Sequence, residues 1–160
     1  MHRFWYLATI VVADDDLFTR TIKILLKSAG FDNVAIARDL HDLRGQQARR
    51  RHDLIVADGE LASLDGADLV LLVRADPLLA PALLIMVTRD ASFSFHETCM
   101  RRGADAVIYK PVSADGLATG LTDLLTSRRG WRGKIVPHPS SLSSQTAGSA
   151  DHPGSDRPRR

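Results

Sequence analysis

Four places in this 160-residue sequence carry groups whose chemistry belongs together. They are the acidic triplet Asp14-Asp15-Asp16, Asp58 at the end of Asp-Leu-Ile-Val-Ala-Asp, Thr88 closing another apolar run, and Lys110 directly before Pro111. Clustered carboxylates repel one another unless a cation joins them. Hard oxygen donors with open, water-bearing positions suit Mg²⁺. A lysine and a hydroxyl beside that cation supply charge and a hydrogen bond to phosphoryl oxygens. The combination fits phosphoryl transfer, with an aspartate as the acceptor.

Something must bring these residues together, and the apolar pattern says what. Residues 8–13 form a short, β-branched run, the mark of a strand covered on both faces. Phe18, Ile22, Leu25, Leu26 and Ala29 then fall at helical spacing, with Gly30 able to end the helix in a left-handed cap. Residues 33–37 read as a second strand, and the polar, basic stretch 39–51 as an exposed helix anchored inward by Leu40 and Leu43. Residues 53–58 are a third strand, 66–75 a helix stopping ahead of Asp76-Pro77, and 83–88 a fourth strand. A helix over 95–102 ends at Gly103, a fifth strand covers 106–109, and Leu117, Leu121, Leu124 and Leu125 line a last helix.

Five strand-then-helix units in succession predict an α/β fold, a five-stranded parallel sheet with helices on both faces. In such a sheet the functional crevice opens at the carboxyl ends of the strands. Asp14 to Asp16, Asp58, Thr88 and Lys110 all stand at strand ends, so they converge on one rim.

Composition is that of a globular domain, 44% hydrophobic and 25% charged, and a net charge of +2 is too small to argue for nucleic acid. With Cys99 as the only cysteine, no internal disulfide is possible, and a reducing compartment fits. The apolar run 4–13 ends in three aspartates instead of a small-residue cleavage site, so it reads as a strand and not as a signal peptide. A cytoplasmic protein without membrane association is the expectation. Past Trp131 the chain turns rich in proline and serine and poor in aliphatic residues. We expect a domain over residues 6–128 and a disordered tail over 129–160, too short and polar for a helix-turn-helix output.

At the level of motifs the sequence resembles the receiver domains of bacterial two-component response regulators, the stand-alone CheY-like (βα)5 flavodoxin-like kind. Val11-Val12-Ala13-Asp14-Asp15-Asp16, with Arg20 four residues on, is similar to their acidic opening. Asp53 through Asp58 resembles the phospho-acceptor strand, and Leu64-Asp65-Gly66 the turn after it. Residues 85–88 resemble the end of the fourth strand, and Gly103-Ala104-Asp105 through Lys110-Pro111 the last signature. The spacings agree too: 88 − 58 = 30 from acceptor to hydroxyl and 110 − 88 = 22 from hydroxyl to lysine.

The resemblance implies that Asp58 becomes an aspartyl phosphate. Asp15 would ligate Mg²⁺ directly, Asp14 mostly through water, and the Glu60 carbonyl would complete the protein's share. Thr88 would bond a phosphoryl oxygen and move on activation. Lys110 would pair with Asp58 at rest and with the phosphoryl group afterwards, next to a cis Lys110-Pro111 bond. The implied donor is a histidine kinase or histidine phosphotransfer protein, and the implied output is contact with a downstream target protein. The family admits monomers as well as homodimers formed on activation. Such a chain is a signalling domain that assists its own phosphorylation and dephosphorylation, not an enzyme with a separate substrate.

Several positions depart from the family pattern. Val107 stands where an aromatic rotamer switch is usual, and Tyr109, two residues on, faces the same side and is a candidate to replace the missing ring in part. Arg89 follows Thr88 where a small residue is usual, Glu60 adds a carboxylate two after the acceptor, and Ala62 replaces a proline, which should loosen that loop. Asp16 is expected to be a solvated or capping residue, His96 a helix-surface residue, and Phe93 and Phe95 core residues.

Two other functions compete. A pseudo-receiver, folded for docking or dimerisation but never phosphorylated, draws on Val107 and Arg89, against the intact Asp14, Asp15, Asp58, Thr88 and Lys110. A haloacid-dehalogenase-type phosphatase draws on Asp14-x-Asp16, but Phe18 sits where that family needs Thr or Val.

Overall fold

The computed structural model describes residues 6–127. Five strands, β1 (Thr9–Val12), β2 (Val34–Ala37), β3 (Leu54–Asp58), β4 (Leu83–Thr88) and β5 (Ala106–Tyr109), alternate with five helices, α1 (Asp16–Ala29), α2 (Leu40–Arg49), α3 (Gly66–Ala75), α4 (Phe93–Arg102) and α5 (Ala114–Ser127). All strand pairings are parallel, in the order β2-β1-β3-β4-β5.

The order follows from crossover handedness. β1 to β2 steps one way along the sheet, and every later connection steps the other way. Right-handed crossovers therefore put α1 on one face and α2, α3 and α4 on the opposite one. α5 returns to pack on α1. Alternation along the strands divides the core accordingly. Val11, Val56, Ile85 and Val87 pack with Ile22 and Leu26 of α1 and Leu117 and Leu121 of α5. Ile10, Ile55, Ala57, Leu84 and Met86 pack with Leu43, Leu69, Val70, Val73 and Cys99 on the other side. β3 is buried throughout, which is why its sequence is a continuous apolar run.

Helix ends are set locally. Asp15, Asp39, Asp65 and Ser92 cap the starts of α1, α2, α3 and α4 through their side-chain oxygens. Caps of this kind are worth about 1 kcal/mol each. Gly30 and Gly103 close α1 and α4 with φ of 105° and 113°, backbone that other residues adopt only under strain. The expected elements are all present, with ends moved by a residue or two. α4 begins at Phe93 because Ser92, not a later residue, supplies its cap.

At the amino ends of β4 and β5, Arg74 closes the molecule. Its guanidinium donates to the carbonyls of Gly103, Ala80 and Ala82, each at 2.7 Å, and to Asp105 Oδ2 at 2.8 Å. That carboxylate oxygen also accepts the Leu84 N–H at 2.8 Å. No helix among the described residues is long and apolar enough to cross a membrane. The expected tail, with Arg157, Arg159 and Arg160, lies outside the described residues.

Candidate functional site

The strand order reverses beside β1, and the segments leaving the paired carboxyl ends of β1 and β3 lead to helices on opposite faces, which opens a crevice there. β1 hands the chain to Asp14 and Asp15, β3 ends on Asp58, β4 on Thr88, and β5 is followed by Lys110. Asp15, Phe18, Asp58, Glu60, Arg89 and Lys110 line one cleft at this rim.

Asp58 is 2% exposed and its Oδ1 accepts from Lys110 Nζ at 2.8 Å and from the Glu60 N–H at 3.0 Å. Burial pushes its carboxyl above the usual range. The Lys110 ammonium and the Glu60 N–H oppose this, and the nearby Glu60 carboxyl adds to it. Lys110 is held over the Phe18 ring, 4.3 Å from its centroid. The Lys110-Pro111 bond is cis, as the resemblance implied.

Glu60 is where the structure says more than the sequence could. Its side chain turns inward. Oε1 accepts from the Thr88 hydroxyl at 2.8 Å and from the Arg89 N–H at 2.7 Å, and Oε2 accepts from Lys110 Nζ at 2.6 Å. Partial burial disfavours its ionised form, but these donors outweigh that and hold its carboxyl down at about 2. One ammonium thus serves two carboxylates.

Asp14 and Asp15 diverge. Asp15 Oδ1 caps α1 by accepting the Phe18 N–H at 2.7 Å. Asp14 Oδ2 accepts the Ala62 N–H at 2.9 Å, tying the β1 end to the loop after β3. The proline usual at that position has no N–H to give, so Ala62 fastens this loop where it was expected to loosen it. Asp16 is solvated, with only a loose, exposed ion pair to Arg38 at 3.6 Å, and capping falls to Asp15.

Among the described residues no group of three or more His, Cys, Asp or Glu side chains is placed to share a metal ion. The donor set nevertheless suits Mg²⁺, which needs only one or two carboxylates and keeps several waters. Asp14, Asp15 and Asp58 each have one carboxylate oxygen without a hydrogen bond among the described residues.

Val107 is partly buried in the core on the α4 side of the sheet, and Tyr109, paired in register with Thr88, follows it on the same face. The Tyr109 hydroxyl lies 2.8 Å from His96 Nδ1, and the two rings stack. Phe95 packs on the core as expected, whereas Phe93 is 78% exposed, because the earlier start of α4 puts it on the solvent side of the first turn. Cys99 is buried.

Sequence reasoning missed two residues of the site. The helical spacing of Phe18 points to a core position of α1 and gives no sign that its ring supports Lys110. Gly59 lets the chain after Asp58 lie against β4, since a Cβ there would come within 2.9 Å of Thr88 Cβ and 3.2 Å of the Val87 carbonyl. A glycine directly after the buried acceptor was the available signal.

The sequence model of the response regulator receiver domain matches residues 9–122. Over 108 residues the chain is 31% identical to the chemotaxis protein CheY of Pseudomonas aeruginosa, covering 68% of this chain and 87% of that protein. It is 33% identical over 124 residues to the transcriptional regulatory protein ZraR of Salmonella typhimurium, covering 75% of this chain but 27% of that much longer protein. The receiver domain of the sensor histidine kinase PA1611 of Pseudomonas aeruginosa has a magnesium ion coordinated in its active-site cleft. It matches with a TM-score of 0.64 at 25% identity, over 76% of this chain and 98% of that one. The chemotaxis response regulator CheY4 of Vibrio cholerae shares the fold with a TM-score of 0.64 at 22% identity, over 73% of this chain and 97% of its own. The chain belongs to the response regulator receiver domain family.

Proposed function

We propose that this chain accepts a phosphoryl group on Asp58 from a histidine kinase or histidine phosphotransfer protein and signals through contact with a target protein. The observation that carries this reading is the buried Asp58 carboxylate, 2.8 Å from the Lys110 ammonium at the point where the strand order reverses. An Asp58 oxygen forms the new O–P bond as the phosphorus–nitrogen bond of the donor histidine breaks, and that bond's electrons leave with the imidazole. Lys110 and the Thr88 hydroxyl receive the phosphoryl oxygens.

Asp14, Asp15, Asp58 and the Glu60 carbonyl would hold Mg²⁺, directly or through its waters. The ion would supply positive charge against the crowded oxygens of the transferring group. The protein's own share is positioning. Asp15 is fixed by capping α1 and Asp14 by Ala62, so both acids stay at the rim without closing over it.

The output face we propose is that of α4, β5 and α5, where Phe93, Met100 and Tyr109 are exposed. Tyr109, the register partner of Thr88, would take the part of the ring that Val107 lacks, passing movement at Thr88 to the His96 contact. Monomer and phosphorylation-dependent homodimer both fit this reading, as does a cytoplasmic location.

Intact mass after incubation with Mg²⁺ and acetyl phosphate tests it. The expected result is a gain of one phosphoryl mass that is lost in Asp58→Ala. Absence of an adduct, together with no response to beryllofluoride, would favour the pseudo-receiver.

A further inference from the structure

We propose that Glu60 is a built-in competitor for the phosphoryl group, its carboxylate occupying at rest the cradle formed by the Thr88 hydroxyl, the Arg89 N–H and the Lys110 ammonium. The inference deepens the acceptor reading and rests on it. Three donors from two separate segments, the end of β4 and the residue after β5, converge on this one carboxylate, at 2.8, 2.7 and 2.6 Å. A planar, two-oxygen anion held this way presents the same charge and the same acceptor positions as two oxygens of a phosphoryl group.

The arrangement is not an incidental surface ion pair. Lys110 is 13% exposed and already pairs with Asp58, so Glu60 brings a second anion to a cation that needs only one. The Arg89 N–H is backbone and stays where β4 places it whatever the Arg89 side chain does. Glu60 itself is 34% exposed, so its carboxylate has a route to solvent when it is displaced.

Two consequences follow. Phosphoryl entry must include an outward turn of Glu60, which lowers the apparent affinity for any anion that binds at Asp58 by the fraction of chains in which the cradle is open. When the phosphoryl group leaves, Glu60 returns to the same donors. The resting site is therefore mostly closed, and Thr88 and Arg89 have a bonded partner both with Glu60 in place and with the phosphoryl group bound.

Binding of beryllofluoride to the full chain in the presence of Mg²⁺, followed by ¹⁹F NMR, tests this with Glu60→Ala and Glu60→Asp. Removing the carboxylate is expected to tighten binding by about tenfold, the worth of one charge-assisted hydrogen bond. Glu60→Asp keeps the charge but is one carbon too short to reach the cradle, so it too is expected to bind more tightly than the wild type. The Arg89 amide proton should exchange faster in both variants. Equal affinity in all three chains would overturn the competitor while leaving Asp58 as acceptor. Tightening in Glu60→Ala but not in Glu60→Asp would also overturn it, because simple charge repulsion would then suffice. No beryllofluoride complex in any of the three would overturn the acceptor reading and the competitor with it.

Discussion

The two ends of the sheet each hold an acid–base pair, and they are built to opposite rules. At the amino end, among the described residues, the Arg74 guanidinium faces the Asp105 carboxylate and also donates to the carbonyls of Gly103, Ala80 and Ala82. Here a cation meets an anion and the neighbouring carbonyls are bonded. At the carboxyl end, one ammonium stands between Asp58 and Glu60, with Asp14 and Asp15 close by on the chain after β1, and Asp58 is pushed up toward its neutral form. A buried charge that is paired becomes costly only when its partner is removed. Buried charge left in excess is a standing demand for a cation or a reaction.

The largest effect that separates the ends should come from Arg74→Ala. It removes the Arg74 ion pair from the Asp105 carboxylate, 7% exposed, and the donor from three carbonyls at once. The expected loss is about 3 to 5 kcal/mol in urea or guanidinium unfolding. A loss under about 1 kcal/mol would mean that the amino-end pair is no more structural than a surface one.

A smaller effect is expected from Gly59→Ala. Its Cβ would press on Thr88 Cβ and the Val87 carbonyl, so β4 or the acceptor loop must shift. Overpacking of this kind costs about 1 to 3 kcal/mol. Because the displaced atom is the one beside the Thr88 hydroxyl, phosphorylation by acetyl phosphate should also slow. Unchanged stability would show that the chain at Gly59 can move away from Thr88 at little cost.

The smallest effect has the opposite sign. Burial, reinforced by Glu60, disfavours the ionised form of Asp58, so ionisation costs the fold at every pH above the usual carboxylate range. Asp58→Asn should therefore raise the unfolding midpoint slightly in Mg²⁺-free buffer at neutral pH. The gain should fade as pH drops below the ordinary aspartate value, where the unfolded chain is protonated as well. A midpoint that falls at neutral pH would show that the Lys110 bond to Asp58 outweighs its desolvation.

The fold was legible because each chemical residue ends an apolar run whose length and β-branching suit a buried strand. Those strand ends put Asp58, Thr88 and Lys110 on one rim. What could not be read depends on contacts between distant segments. The inward turn of Glu60 needs the Arg89 N–H and the Thr88 hydroxyl, about 30 residues away, delivered by the pairing of β3 with β4. The Arg74–Asp105 pair spans 31 residues and looks in sequence like two unrelated surface charges. Phe93 misled because an aromatic residue at a helix start suggests core, and only the Ser92 cap fixes which way that first turn faces. At Ala62 the sequence shows only the missing proline, and the hydrogen bond gained to Asp14 depends on the β1 end lying 48 residues away.

The most direct test of the central claim is the position of the modification. The chain, treated with acetyl phosphate and Mg²⁺, would be reduced with borohydride, which converts an aspartyl phosphate to homoserine, and then digested and sequenced by mass spectrometry. The account predicts homoserine at position 58 and at no other aspartate. Conversion at Asp14 or Asp15 instead, or none in a chain that has gained phosphoryl mass, would contradict it.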